Sequence, residues 1–295
     1  MPAVSLGGCQ GDADELAWHV SWSSGSAIMI GMDDRSRCLA AYDKQLRTDA
    51  ETPGAASVTT LGPLRLVTFA GGRGFITYQH LDGADAGTVR NLVATALARY
   101  RADPVITRVE WKTRGHDHAP GLHRSLLDHG FVPEETESIM IGEAQRLAVG
   151  LAPPKGVILR QVSQENDVRA MTAMSVLAFG DPPAEAAEMA DALLRRLSRG
   201  DGMELWVAEA DGQVVSAGRL EPVPGTSFAG IWGGSTLPEW RRRGIYRALT
   251  AERARSALRL GKTLINSDST EYSRPILERY GFLKVSTTTP YIWRR

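Results

Sequence analysis

A basic turn ahead of a long helix is the part of this sequence whose residues are best suited to binding an anion. Arg241, Arg242 and Arg243 precede Gly244, and residues 245–260 contain neither glycine nor proline. The first N–H groups of a helix lack partners within the helix, and the helix dipole adds partial positive charge there. Glycine lets the backbone approach a ligand closely. The pattern predicts a pyrophosphate site, with a solvated basic turn as the alternative.

Short apolar segments on both sides of this turn predict the elements that position it. Residues 228–236 have the pattern of a glycine-containing strand, and residues 263–266 that of a short apolar strand after the long helix. A short helix at 273–280 then ends at Gly281. Upstream, the predicted elements are a strand at 156–162, a helix that Ser163 caps and Gly180 ends, a helix at 184–199, and a hairpin at 203–220 around Asp211 and Gly212.

Together these elements resemble the acyl-CoA half of the GNAT acetyltransferase superfamily. Arg241–Tyr246 falls on that superfamily's Q/R-x-x-G-x-G/A turn, and Pro238 stands where its members usually have a proline. The resemblance covers residues 157–295 and implies a mixed, V-splayed sheet with acetyl-CoA between the strands that lead into and out of the helix. The cofactor-binding residues it implies are Ser235, Thr236 and Leu237 for the pantetheine arm, and Arg242, Arg243, Gly244, Ile245, Tyr246 and Arg247 for the pyrophosphate.

Two residues depart from the superfamily's pattern. Tyr246 stands where the turn normally ends in glycine or alanine, and Leu277 stands where many members have the tyrosine that protonates the departing CoA thiolate. Leucine cannot donate a proton, so the usual general acid is missing. Tyr272, Ser273, Tyr280 and water are the candidates for that role, because a thiolate is a fairly good leaving group near neutral pH.

The general base is expected among the carboxylates, because no histidine follows residue 130. The six histidines are His19, His80, His116, His118, His123 and His129. A base must lie within hydrogen-bond reach of the amine, directly or through water. Glu221, Asp268 and Glu271 are the candidates. The alternative for each is an ordinary solvated or helix-capping role, with Ser269 or Thr270 as the cap of the short helix.

The length of the chain and the order of its elements indicate two domains. At 295 residues the chain is about twice a typical domain, and the Pro-rich segment Leu151–Gly156 is typical of a linker. We therefore expect an α/β protein of two tandem GNAT-like domains, at 1–150 and 151–295, each a splayed mixed β-sheet flanked by helices. Elements predicted at 74–78, 88–101, 106–111, 122–131 and 138–141 follow the same order as those in 228–293.

The first half lacks the basic turn. Where that turn should open the helix, Leu81–Gly87 contains Asp82 and Asp85, which would repel a pyrophosphate. We expect this half to be a degenerate repeat that is structural or supplies a wall of the acceptor site.

Charge and cysteine content bound the partners and the compartment. The net charge is zero, with 14 Lys and Arg against 18 Asp and Glu in residues 1–150 and 20 against 16 in the rest. The positive excess of the second half is too small for nucleic-acid binding. Cys9 and Cys38 are too few for a disulfide framework, so a cytoplasmic protein is expected. The histidine spacings match no zinc pattern, and the sequence has no signal peptide or long apolar run. We expect no metal, no nucleic-acid or membrane partner, and a monomer or homodimer.

Three functions fit these patterns. The leading one is an acetyl-CoA-dependent N-acetyltransferase acting by direct attack of a small-molecule amine, with Glu221, Glu271 and Tyr272 as the candidate catalytic residues. The resemblance implies that residues 179–187 contact the amine. The alternative is a non-catalytic acyl-CoA-binding sensor or regulatory protein, which Leu277 favours. An unrelated phosphate-binding protein is the third.

Overall fold

The structure is a computed structural model that describes residues 24–149 and 152–295. Cys9, His19 and Leu151, which entered the predictions above, lie outside the described residues. The chain divides into two units, at 1–34 and 35–295. Of the first unit, the structure describes only the beginning of a helix, and everything below concerns the second.

Helices and strands are interspersed along the described chain. The helices are α1 (Ser24–Gln45), α2 (Ala86–Ala102), α3 (Leu122–Asp128), α4 (Ala144–Leu147), α5 (Glu165–Phe179), α6 (Glu185–Leu197), α7 (Ile245–Arg259) and α8 (Arg274–Arg279). The strands are β1 (Ser57–Leu61), β2 (Leu64–Phe69), β3 (Arg73–Thr77), β4 (Arg108–Arg114), β5 (Val132–Pro133), β6 (Glu137–Glu143), β7 (Val157–Val162), β8 (Glu204–Ala210), β9 (Gln213–Pro222), β10 (Phe228–Thr236), β11 (Leu264–Ser269) and β12 (Leu283–Arg294). None of the described helices is long and apolar enough to cross a membrane.

Within the described residues the strands form one twelve-stranded mixed sheet. Its order is β1-β2-β3-β4-β12-β6-β11-β10-β9-β8-β7, and β5 pairs with β12. Two pairs are parallel, β3 with β4 and β10 with β11, and the other pairs are antiparallel. The predicted mixed α/β class is confirmed. The sheet runs through both halves of the sequence, and the division at residue 150 stays a prediction.

The two halves exchange strands at the centre of this sheet. The C-terminal strand β12 lies between β4 and β6 of the first half, so that Tyr291 pairs with Trp111. In return, β6 pairs with β11 of the second half. The apolar cores follow the exchange, because Tyr291 and Trp293 pack in the first half's core while Met140 packs in the second half's core with Phe282. Burying a side chain such as Phe282 stabilises the fold by about 1.5–3 kcal/mol.

The predicted hairpin turn is confirmed, and the predicted caps of two helices differ from those in the structure. The hairpin turn forms at Asp211 and Gly212, both with positive φ (50° and 78°), as a two-residue hairpin requires. The capping role of Ser269 or Thr270 is wrong. Pairing with β6 extends β11 to Ser269, and the N-cap of α8 is Ser273. The N-cap of α5 is Gln164, one residue after the predicted Ser163.

Candidate active site

Strands β10 and β11 part after a short parallel contact. They pair only over Phe228–Gly230 with Leu264–Asn266, although β10 continues to Thr236 and β11 to Ser269. Beyond Gly230 the edge of β10 that faces β11 has no strand pairing within the described chain. An unpaired edge presents N–H and C=O groups to an extended ligand. The predicted splay is therefore present between these two strands.

A bulge at two glycines lies on this open stretch of β10. The register against β9 shifts between Trp232 and Ser235, so Gly233 and Gly234 are out of step with β9. Gly233 has a φ of 61°, which suits glycine. A Cβ on Gly234 would lie 2.6 Å from Cε2 of Tyr246, so the tyrosine ring rests on the strand's backbone. Both glycines are required by local geometry.

The first turn of α7 is open to an anion. Its N-cap is Gly244, with a φ of 80° and no side-chain capping hydrogen bond. Arg242 also has a left-handed φ, of 60°, which turns the chain into the helix. The N–H groups of Ile245 and Tyr246 therefore stand at the positive end of the helix without a capping side chain among the described residues.

A cavity of about 520 Å³ connects the helix start with the open end of β10. Its lining residues are Ala178, Phe179, Gly234, Ser235, Thr236, Trp240, Arg241, Arg242, Gly244, Ile245, Tyr246, Tyr272, Ser273, Ile276, Arg279 and Tyr280. We call it the first cavity. No acidic residue lines it, and Arg241, Arg242 and Arg279 do. The surroundings thus favour a negatively charged ligand of extended shape.

Six of the nine predicted cofactor residues line the first cavity, and Leu237, Arg243 and Arg247 do not. The N–H of Leu237 donates to the carbonyl of Val215 (3.0 Å). The guanidinium of Arg243 lies 4.7 Å from the ring centroid of Trp240, and that of Arg247 lies 5.5 Å from the ring centroid of Tyr280. The cofactor roles of all nine residues stay predictions.

Arg241 holds the turn in place. Its Nε donates to the carbonyl of Thr236 (3.0 Å), and its Nη2 donates to the carbonyl of Ala178 at the end of α5 (2.9 Å). These charge-assisted bonds tie the basic turn to β10 and to the end of α5. Arg241 is therefore a positioning residue for the first cavity.

Side chains with hydroxyl groups line the first cavity, and Leu277 does not line it. Leu277 is buried in the core beside Leu249. Tyr272 lines the cavity with its side chain 87% exposed, whereas Tyr246 lies deeper, between Gly234 and Tyr280, with its ring centroid 6.3 Å from that of Tyr280. Burial raises the pKa of Tyr246 and keeps its phenol protonated. The sequence analysis treated this position only as part of the turn and did not consider its hydroxyl group.

A second cavity, of about 170 Å³, lies beside the point where β10 and β11 part. Its lining residues are Tyr42, Leu46, Ala50, Glu51, Pro53, Lys112, Glu221, Val223, Gly230, Trp232, Asn266 and Asp268. Strand β10 borders both cavities, with Gly230 and Trp232 on the second and Gly234 on the first. The first half of the chain contributes α1, the segment at 50–53 and β4 to the second cavity.

Each carboxylate in the second cavity has a cationic partner. Glu221 pairs with Arg196 (2.7 Å) and Arg219 (3.1 Å). Asp268 pairs with Nζ of Lys112 (3.1 Å). Burial is the strongest single influence and lowers the pKa of Lys112, but Asp268, Tyr42 and Glu51 together outweigh it and raise the pKa, so the ammonium stays charged. Glu51 likewise pairs with the buried Arg114 of β4.

The structure does not bring the three predicted catalytic residues together. Tyr272 lines the first cavity, Glu221 lines the second, and Glu271 lines neither. Glu271 pairs with Arg274, and the hydrogen bond from Arg274 lowers the pKa of Glu271. Phe179 lines the first cavity and not the second, so an acceptor contact by residues 179–187 stays a prediction.

Sequence reasoning missed the side chains that the first half contributes. Arg108, Glu110, Lys112 and Arg114 alternate along β4 with buried Val109 and Trp111, and this pattern alone indicates a strand with one polar face. The pattern does not indicate that this face meets β11. Lys112 bonds to Asp268 of β11, which lies 156 residues further along the chain. No group of three or more His, Cys, Asp and Glu side chains in the described chain is arranged to hold a metal ion.

Residues 171–282 match the model of the acetyltransferase (GNAT) family. The matched stretch contains the splayed strands β10 and β11, with the residues of these strands that line the two cavities, and the open start of α7. This segment of the chain is therefore similar to a GNAT acetyltransferase domain. No curated protein matches the sequence.

Solved structures are similar to this chain beyond residues 171–282. A GCN5-related N-acetyltransferase from Kribbella flavida has a TM-score of 0.58 at 18% identity, over 89% of this chain and 95% of that one. A functionally unknown protein from Staphylococcus epidermidis has a TM-score of 0.61 at 14% identity, over 84% and 98%. A tandem GNAT protein from the clavulanic acid biosynthesis pathway has a TM-score of 0.58 at 16% identity, over 78% of each chain. At these identities the likeness is one of fold.

Proposed function

We propose that this chain is an acetyl-CoA-dependent N-acetyltransferase that acetylates the amine of a small molecule, with the reaction carried out by residues 151–295. The observation that carries the proposal is the meeting of two features in the first cavity. One is the unpaired edge of β10 beyond Gly230, and the other is the uncapped start of α7 at Gly244. Together they fit an extended ligand that ends in a pyrophosphate.

The chain's own groups suit the two parts of such a ligand. The N–H groups of Ile245 and Tyr246 face the pyrophosphate position, with Arg242 and Arg279 as the flanking cations. The backbone of Gly233–Thr236 supplies the edge along which the pantetheine arm would pair. We therefore assign the contacts with the pantetheine arm to the bulge and not to Leu237, because the N–H of Leu237 already donates to the carbonyl of Val215.

The reaction is the attack of an amine nitrogen on the thioester carbonyl carbon. A C–N bond forms, the C–S bond breaks, the amine loses a proton and the departing thiolate gains one. We assign the proton acceptor to Glu221, which borders the second cavity, acting directly or through water. Backbone N–H groups at the bulge would stabilise the negative charge that develops on the carbonyl oxygen.

The proton for the thiolate is assigned to a phenol of the first cavity. Tyr272 is the donor that the sequence suggests, but its side chain is 87% exposed. Tyr246 rests against the bulge at Gly234 and keeps its proton. We therefore favour Tyr246 as the donor.

We further propose that the first half is a degenerate GNAT-like repeat. Its parallel pair β3 and β4 is joined through α2, as β10 and β11 are joined through α7. The N-terminus of α2 is occupied by Asp85, whose side chain accepts from the N–H of Thr88 (2.7 Å). A carboxylate in that place leaves no room for a pyrophosphate, so this half supplies walls and not a cofactor site.

The test combines calorimetric titration with acetyl-CoA and a thiol-release assay over a panel of small amines. The proposal expects micromolar binding to one site per chain and CoA release with at least one amine class. Binding without release from any amine would favour the acyl-CoA-binding sensor, to which the buried Leu277 in place of an acid also points. Absence of binding would overturn the acetyl-CoA assignment.

A further inference from the structure

The second cavity contains a buried hydrogen-bond acceptor that has no partner. Asn266 is 7% exposed and lines the cavity, and its Oδ1 makes no hydrogen bond in the described part of the chain. It lies on β11 directly opposite Gly230, at the last residue pair before β10 and β11 part. A buried carbonyl oxygen without a donor is costly, and a bound donor removes that cost.

The charged groups around Asn266 already neutralise one another. Asp268 is paired with Lys112, Glu51 with Arg114, and Glu221 with two arginines. The carboxylates nevertheless keep lone pairs that can accept from a ligand. The one ammonium that lines the cavity, that of Lys112, is held by Asp268. The charged groups of the cavity therefore offer acceptors to a ligand more readily than donors.

The remaining walls are apolar and aromatic. Leu46, Pro53 and Val223 line the cavity. The indole of Trp232 folds over Gly230, where a Cβ would collide with it, and so closes one side. An aromatic face in such a place also attracts a cation. The volume, about 170 Å³ against about 520 Å³ for the first cavity, limits the ligand to a compact body.

Resting on the proposed function, we infer that the second cavity is the acceptor site and that it selects a compact primary ammonium with an apolar body and no acidic group. Asn266 Oδ1 binds an N–H of that ammonium. Tyr42, Glu51 and Lys112 make the first half a determinant of acceptor specificity, although it binds no cofactor. An anionic ligand is disfavoured because the carboxylates that line the cavity offer it only lone pairs, and the ammonium of Lys112 is already held by Asp268.

The substitution Asn266→Leu removes the acceptor at nearly constant volume, and Asn266→Asp keeps an acceptor oxygen. The exposed Asn91→Leu on α2 is the matched control. Benzylamine, benzyl alcohol and benzoate share a ring and differ in the polar group, so they serve as probes for saturation-transfer NMR and calorimetry on the full chain. Thermal unfolding and acetyl-CoA titration check that each variant is folded.

The full chain should bind benzylamine and not benzoate. Asn266→Leu should weaken benzylamine binding, and raise its KM in the transfer assay, roughly ten- to hundred-fold, whereas Asn266→Asp and Asn91→Leu retain binding. Equal binding of benzoate, or unchanged benzylamine affinity in a folded Asn266→Leu, would overturn the inference while leaving acetyl-CoA binding intact. If acetyl-CoA itself fails to bind, the proposed function fails, and the amine titration separately decides the specificity of the cavity.

Discussion

Helices α2 and α7 each connect a pair of parallel strands, yet the starts of the two helices differ in charge. At α2 the carboxylate of Asp85 accepts from the N–H of Thr88 (2.7 Å), so the positive end of the helix is already neutralised. At α7 the N-cap is Gly244, and no side chain caps it within the described residues. A single residue at the N-cap thus separates a structural helix start from one that can bind an anion.

The strands beside these helices differ in the same direction. Strand β3 pairs with β4 over Arg73–Ile76, which is nearly its whole length, whereas β10 pairs with β11 over only the first three of its residues. In the first half Tyr100 lies on Gly74, and its hydroxyl donates to the carbonyls of Val67 (2.8 Å) and Phe75 (3.0 Å). The first half is closed by hydrogen bonds at the place where the second half is open.

Glu221→Gln tests most sharply whether the open half performs chemistry. Removing the proton acceptor should lower kcat by roughly 10²- to 10⁴-fold while the affinity for acetyl-CoA is unchanged. Glu271→Gln, at a residue that lines neither cavity, should leave kcat near that of the parent chain. Steady-state kinetics on both variants measure this, and equal losses would remove Glu221 from the mechanism.

Gly244→Asp gives α7 the cap that α2 has. The carboxylate would occupy the N–H groups and repel the pyrophosphate, so acetyl-CoA affinity should fall roughly a hundred-fold or more. Gly225→Asp is the matched control, because Gly225 has a similar φ (70° against 80°) and neither glycine has a heavy atom within 4 Å of an added Cβ. Calorimetry on the two variants compares them, and undiminished affinity in Gly244→Asp would contradict the comparison.

The two tyrosines that rest on strand glycines should separate activity from stability. Tyr246→Phe should lower kcat roughly ten-fold, a modest loss because a thiolate leaves readily. Tyr100→Phe should instead lower the free energy of unfolding by about 1–3 kcal/mol, because it leaves carbonyls without a donor, and should not change kcat.

The pH profile gives an independent check on Tyr246. Because burial raises its pKa above the ordinary 10.0, the phenol stays protonated and kcat should not decline until the pH exceeds that value. A decline at neutral pH that Tyr246→Phe abolishes, or a larger effect from Tyr272→Phe, would assign the proton to another group.

Asp85→Ala should have the smallest effect. The hydrogen bond to Thr88 lowers the pKa of Asp85, so the cap stabilises the fold above the unfolded-state pKa and is lost as the pH falls through the folded-state value. The variant should therefore melt slightly earlier near neutral pH, less so in acid, with acetyl-CoA binding unchanged. Thermal unfolding at two pH values measures the difference, and a change in acetyl-CoA affinity would show that α2 has a ligand role.

The sequence was sufficient for features that a few neighbouring residues determine. Gly244 after three arginines, the glycine-rich strand before them and the Asp211-Gly212 hairpin all follow from local propensities, and all are present. Ser269 was misassigned because the strand that extends β11 comes from the other half of the chain. Asn266 and Lys112 form one cavity only through the exchange of β6 and β12, and no local pattern encodes pairing over such a distance.

A crystal structure of the chain with acetyl-CoA tests the central claim most directly. The account predicts the pyrophosphate at the N–H groups of Ile245 and Tyr246, the pantetheine arm along the unpaired edge of Gly233–Thr236, and nothing at the start of α2. A ligand bound at Asp85, or one that leaves the edge of β10 empty, would contradict it.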